Sequence, residues 1–177
     1  MSTLVLLLLL GGILGVFGTA AWAGIRAAPW LPTRAKDIRR LLDLAELKPG
    51  ELLYDLGCGD GRVLMIAAKE YGARAVGFEI SLLPYLAAKA RTIFHPSRRN
   101  IQIRFEDFYH TSLSQADVVF CFLTPSAMKR LKTKFVQELH PGARVASSTF
   151  SFDGLPGAVR VKPEEKTIAV HLYRHPL

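Results

Sequence analysis

Hydrophobic positions fall into two regimes along the chain. Residues 4–25, LVLLLLLGGILGVFGTAAWAGI, carry no charge. As a helix rising 1.5 Å per residue this run spans about 33 Å, enough to cross a bilayer. Further on, short apolar strings alternate with amphipathic stretches. APWLPT (28–33) reads as an extended, Pro-rich linker. Ile38, Leu41, Leu42, Ala45 and Leu47 then predict one face of a helix, capped by Thr33 and stopped at Pro49-Gly50. ELLYDL (51–56) predicts a buried strand. RVLMIAAKEYG follows as a helix, with Val63, Ile66, Ala67 and Tyr71 at helical spacing and Gly72 as its stop.

The alternation continues. RAVGFEI (74–80) predicts a second strand, Leu82 to Phe94 a helix, and IQIRFEDF (101–108) a third strand with Ile101, Ile103 and Phe105 alternating. ADVVFCFL (116–123) is continuously apolar, as a central parallel strand should be. Pro125 opens a helix with Met128, Leu131, Phe135 and Leu139 on one face, and ARVASSTFSF (143–152) is a fifth strand. AVRVK (158–162) and TIAVHLYR (167–174) are joined by PEEK, too short for a parallel crossover, and predict an antiparallel hairpin at the sheet edge. The fold expected is α/β: a doubly wound, mostly parallel sheet with a C-terminal antiparallel hairpin, preceded by one transmembrane helix. Its parts are an anchor at 1–26, a linker and helix at 27–50, and a domain at 51–177.

Charge changes the picture at the N-terminal end. Half of the net charge of +8 lies between residues 26 and 40, where Arg26, Arg34, Lys36, Arg39 and Arg40 face one acid, Asp37. A single-pass anchor in the inner (cytoplasmic) membrane is expected; by the positive-inside rule the domain then faces the cytoplasm, and Trp22 and Trp30 suit an interfacial belt. A signal peptide is the competing reading, since Ala21-Trp22-Ala23 satisfies a small-x-small cleavage rule. Against it, no basic residue precedes the apolar run. The basic stretch also suits anionic lipid, and no nucleic-acid-binding motif accompanies it, so no nucleic-acid partner is expected. Cys58 and Cys121 make neither a disulfide framework nor a metal site, and no histidine spacing suggests a metal.

The chemistry is concentrated in YDLGCGDGRV (54–63), which sets Gly57, Gly59 and Gly61 between a strand ending in Asp55 and a helix. Strand, glycine turn and helix form the element at which α/β sheets bind nucleotide-like ligands. A dinucleotide fingerprint needs a third glycine where Arg62 stands, and the Gly-Lys-Ser/Thr of a phosphate loop is absent. The stretch resembles the first motif of the seven-strand methyltransferases that bind S-adenosylmethionine, an acid followed by x-G-x-G-x-G. Asp55, Gly57, Gly59 and Gly61 match it residue by residue. Glu79, closing the second strand, stands where an acid can accept hydrogen bonds from both ribose hydroxyls.

The resemblance implies further contacts. Asp55 would hold the cationic amino group of the methionine moiety, with Tyr54 beside it and Ile80 after Glu79. Asp107 would receive the adenine amino group, and Phe108 would pack near the ring. FLTP (122–125) lacks the Asn-Pro-Pro-Tyr of many nitrogen methyltransferases. Carbonyls near Leu123 and Thr124 can still accept from an amine, or Thr124-Pro125 is only the start of the next helix. Taken together, APWLPT, YDLGCGDGR, GFEI, EDF and a late F-x-F pair resemble the membrane-anchored lysine methyltransferases over roughly residues 4–153. That family modifies the mitochondrial adenine nucleotide carrier and ATP synthase c-ring protein and has bacterial relatives. Pro32 and Thr33 match its pre-domain motif, which closes over cofactor and substrate. Phe150 and Phe152 match the segment after the fifth strand, whose usual tryptophan is replaced around Leu155.

The implied activity is methylation of lysine on a membrane-associated protein, with S-adenosylmethionine as cofactor and residues 4–25 in the bilayer. Two other functions compete: a methyltransferase for a membrane-borne quinone or lipid, and a non-catalytic cofactor-binding scaffold. No residue is assigned as general base.

Overall fold

The computed structural model describes residues 2–26, 31–152, 159–161 and 169–176. Helix α1 covers Thr3–Arg26, and its segment Thr3–Ile25 is long and apolar enough to cross a membrane, with a mean hydropathy of 2.4. Helix α2 (Ala35–Leu44) follows. Strands and helices then alternate as β1 (Leu52–Leu56), α3 (Arg62–Glu70), β2 (Arg74–Glu79), α4 (Leu82–Ile93), β3 (Ile101–Phe105), β4 (Val118–Cys121), α5 (Pro125–Glu138) and β5 (Arg144–Ser148), before β6 (Val159–Val161) and β7 (Val170–Arg174).

The seven strands lie in the order β3-β2-β1-β4-β5-β7-β6. The first five are parallel, while β7 runs antiparallel to both β5 and β6. The expected edge hairpin is therefore present, with β7 as its inner strand and the connecting PEEK outside the described residues. Strand order reverses between β1 and β4, which places the ligand crevice of such a sheet at the carboxyl end of β1.

Both faces of the sheet are covered, as parallel sheets require. On one face Met128, Leu131 and Phe135 of α5 pack with Phe152 and Tyr173. On the other, Ile38, Leu41 and Leu42 of α2 pack with Leu64 and Ala67 of α3 and Ala88 of α4. Of the alternating positions expected in β3, Ile103 is buried but Phe105 is half exposed, its ring tilted against Tyr85.

Several expected boundaries shift. Thr33 does not cap α2: the cap position is Arg34, without a side-chain cap, and Thr33 is buried elsewhere. The helix ends at Leu44, and Glu46 adopts a left-handed φ of 51° before Leu47 tucks into the core. β3 stops at Phe105, so Asp107 lies beyond the strand and caps a short 3-10 turn by accepting from the Tyr109 amide. β5 stops at Ser148 because Thr149 turns to a φ of 75°, and the Ser147 hydroxyl closes the turn on the Phe150 carbonyl at 2.6 Å.

Candidate cofactor and active site

The glycine loop is a turn whose backbone conformation favours glycine. Gly57, Gly59 and Gly61 all have positive φ, 80°, 54° and 76°, which glycine adopts without the Cβ penalty. The Gly57 and Cys58 amides both donate to the Phe78 carbonyl at 3.0 Å, tying the loop to β2. A second glycine requirement lies across the sheet. A Cβ on Gly77 would fall 2.5 Å from Leu64 Cδ1 and 2.6 Å from Cys58 Sγ. The glycine inside RAVGFEI thus lets the loop and α3 sit down on β2.

Three acids surround this loop. Glu79, almost fully buried, accepts from the Gly59 amide at 2.9 Å through one oxygen, and from Ile80 (2.9 Å) and Ser81 (2.7 Å) through the other. Asp60 accepts from Arg62 Nη2 at 2.7 Å and also pairs with Arg91. Burial would raise the Asp60 carboxyl, but the Arg62 and Arg91 guanidinium groups outweigh it and hold it below its ordinary value. Asp55 is 2% exposed, and its Oδ2 has no hydrogen-bond partner. Burial first, then the charges of Glu79 and Asp60, push its carboxyl well above the usual range.

That orphaned oxygen fits a cationic donor. A buried carboxylate without a partner is costly, and a bound ammonium group would satisfy it. An open cleft lies beside it, at the carboxyl end of β1 where sheets of this order take their ligands. Asp55, Gly57, Gly59, Glu79, Ile80, Phe108 and Leu123 line it, as do Pro32 and Thr33. Phe78, Phe120, Phe122 and Val63 give it an apolar, aromatic portion, and Asp60, Arg62 and Ser81 add polar groups.

Other expected residues lie apart from this wall. Tyr54 packs edge-on against Phe78 in the core. Gly61 sits below the cleft, where a Cβ would meet Ala88 Cβ at 3.2 Å. Asp107 is engaged in its cap, leaving Phe108 as the residue of that pair on the wall. Thr124 is the N-cap of α5, accepting from the Ala127 amide. Phe152 is core, edge-on to Phe135 and Tyr173, and with the half-exposed Phe150 borders a separate groove beside α5.

Residues not anticipated from sequence complete the site. Arg62 donates from Nη1 to the Thr33 carbonyl at 3.1 Å, clamping the pre-domain segment over the cleft. The departure from the dinucleotide fingerprint at this position is thus a strut between loop and segment. Ala23, near the end of α1, is buried and lines the cleft. Cys58 is buried there too, its thiol pushed up by burial and by the neighbouring acids.

The profile of the ANTKMT methyltransferase domain matches residues 55–158. The chain belongs to this family. A protein-lysine N-methyltransferase from Saccharolobus islandicus is 35% identical over 148 residues, 82% of this chain and 92% of that protein. The mouse adenine nucleotide translocase lysine N-methyltransferase is 35% identical, and the human lysine N-methyltransferase of the ATP synthase c-ring protein 31%. The chain spans about half the length of these two mammalian relatives (53% and 52%), while they cover 69% and 70% of it.

Among solved structures, an RNA methyltransferase from Salinibacter ruber in complex with S-adenosyl-L-homocysteine superposes with a TM-score of 0.77 at 30% identity, covering 81% of this chain and 93% of that one. A Thiobacillus denitrificans methyltransferase in complex with the same product has a TM-score of 0.60 at 21% identity, covering 76% and 53%, and shows the shared fold. This family member is therefore an S-adenosylmethionine-dependent methyltransferase of the protein-lysine N-methyltransferase family.

Proposed function

We propose that this methyltransferase acts on lysine of a membrane-associated protein, with α1 spanning the membrane and the domain held at the cytoplasmic face. The observation that carries the cofactor half is the orphaned Asp55 Oδ2 at the reversal of strand order. In this reading Asp55 holds the amino group of the methionine moiety, and the amides of the 57–61 loop lie against the same moiety. Glu79 keeps lone pairs for the ribose hydroxyls while bracing both loops. Phe108 flanks the adenine, and Pro32-Thr33, held by Arg62, cover the cleft.

S-adenosylmethionine supplies a methyl group already activated on a sulfonium, so the protein's task is mainly to place a neutral amine in line with it. Phe120, Phe122 and Leu123 line the cleft with apolar side chains, surroundings that lower the pKa of an entering lysine. The names of the translocase and ATP synthase relatives support a membrane-associated acceptor. The uncharged run and the basic stretch behind it support the anchor and its orientation.

RNA is a second acceptor class, favoured by the Salinibacter ruber neighbour. One experiment separates the classes: tritiated-methyl labelling of a host membrane fraction by the purified full-length enzyme, followed by partition and mass spectrometry. Methyl-lysine in a membrane protein is expected. Label recovered only in RNA or in the lipid extract would overturn the lysine assignment.

A further inference from the structure

Helix α4 presents an unusual outer surface. At 100° per residue, Leu82, Leu83, Leu86, Ala87, Ala90, Ile93 and Phe94 occupy one arc of about 140°. Within it Leu83 is 59% exposed, Ile93 57% and Phe94 89%. The opposite side holds Pro84 and Ala88, which are buried. Lys89 borders the apolar arc on one edge, and Arg98 and Arg99 follow just beyond the helix; Arg91, on the other edge, is half exposed with its guanidinium paired to Asp60. No acid occurs from Ser81 to Phe105. Such a pattern, an apolar arc rimmed by cations, is that of a helix lying in a membrane interface.

The position of α4 relative to α1 points the same way. The Leu82 amide donates to Thr19 Oγ1 at 3.2 Å, and Ala23 is buried nearby against the cleft. Thr19 lies seven residues before the end of α1 at Arg26, about 10 Å along the helix. If α1 spans the bilayer, the start of α4 sits about that far below the end of the span, matching the 5–10 Å to which interfacial helices sink their apolar faces. At that depth an open amide at a helix start is costly, and Thr19 supplies its acceptor.

We infer that α4 is a second membrane-contacting element, seated on anionic lipid through the Leu83–Phe94 arc and its cationic rim. This rests on the reading of α1 as a membrane span and adds what the span alone does not supply, an orientation. Two contacts fix the domain against tumbling about its tether, and the cleft, lined by Ala23 and Ser81, then opens at the bilayer surface. An acceptor lysine reaches it by moving in the plane of the membrane.

The test uses the full-length protein in liposomes containing phosphatidylserine and depth-graded spin-labelled lipids. Environment-sensitive fluorophores are attached in separate variants at Phe94→Cys (α4 arc), Leu14→Cys (the middle of α1) and Gln137→Cys (exposed, at the far end of α5). The labelled wild type serves as blank, since Cys58 and Cys121 are buried. Emission at position 94 should shift to the blue and be quenched most by shallow labels, position 14 by deep ones, and position 137 by neither. If position 94 behaves like 137 while position 14 is quenched, the α4 contact is wrong and the anchor stands. Absence of quenching at both 14 and 94 removes both, and quenching at 94 without 14 keeps the α4 contact while removing the span.

Discussion

Glu79 accepts a hydrogen bond from the Gly59 amide at 2.9 Å, joining the loop after β1 to the end of β2. With Ile80 and Ser81 donating to its other oxygen, one carboxylate sets the geometry of two loops. A residue expected to contact only the cofactor is therefore also a brace. Glu79→Ala should lower stability by about 1–3 kcal/mol through buried amides left without an acceptor. Cofactor affinity should fall at least about tenfold, near 1.4 kcal/mol. Thermal unfolding and calorimetry with S-adenosyl-homocysteine measure the two; unchanged stability alongside lost affinity would contradict the brace.

Asp55→Asn should separate stability from binding in the opposite sense. The wild-type carboxyl is raised by burial, then by Glu79 and Asp60. Above its ordinary pKa the unfolded chain holds fewer protons than the folded one, so wild-type stability falls as pH rises toward the raised folded value. Removing the charge should raise the melting temperature of the free protein at neutral pH while weakening cofactor binding by about 1–3 kcal/mol. A bound cation favours the ionised carboxylate, so wild-type affinity should weaken on acidification through the folded pKa. Titrations at several pH values check the slope; in Asp55→Asn it should vanish.

Arg62→Ala should loosen the pre-domain segment more than the domain. Asp60 keeps Arg91 as a partner, and the Arg62 side chain is one-third exposed, so global stability should change by less than about 1 kcal/mol. Amide exchange near residues 31–35 should accelerate, because the strut to the Thr33 carbonyl is gone. The KM for S-adenosylmethionine should rise. Unchanged exchange in that segment would refute the clamp.

Gly77→Ala should destabilise by about 1–3 kcal/mol through overpacking, since the added methyl would meet Leu64 and Cys58 well inside contact distance. The displaced Cys58 would carry the glycine loop with it, so cofactor affinity should fall too. Circular dichroism melts and cofactor titration test both effects.

Sequence by itself determined the uncharged run, the order of strands and helices, the C-terminal hairpin, and the glycine loop flanked by Asp55 and Glu79. These are legible because hydrophobic period and turn chemistry are local and act within a few residues of where they are written. Tertiary structure decided what depends on distant parts of the chain meeting. Sheet register brought Gly77 under Cys58, and the glycine loop brought Arg62 to Thr33. Packing turned Phe152 into core and left Phe108, rather than Asp107, on the cleft wall. Thr33 looked like a helix cap because its residue type suits one, but its burial over the cleft outweighed that local preference. Ala23 gives no sign of its role in an apolar run; only the docking of α1 beside Leu82 carries it to the cofactor cleft.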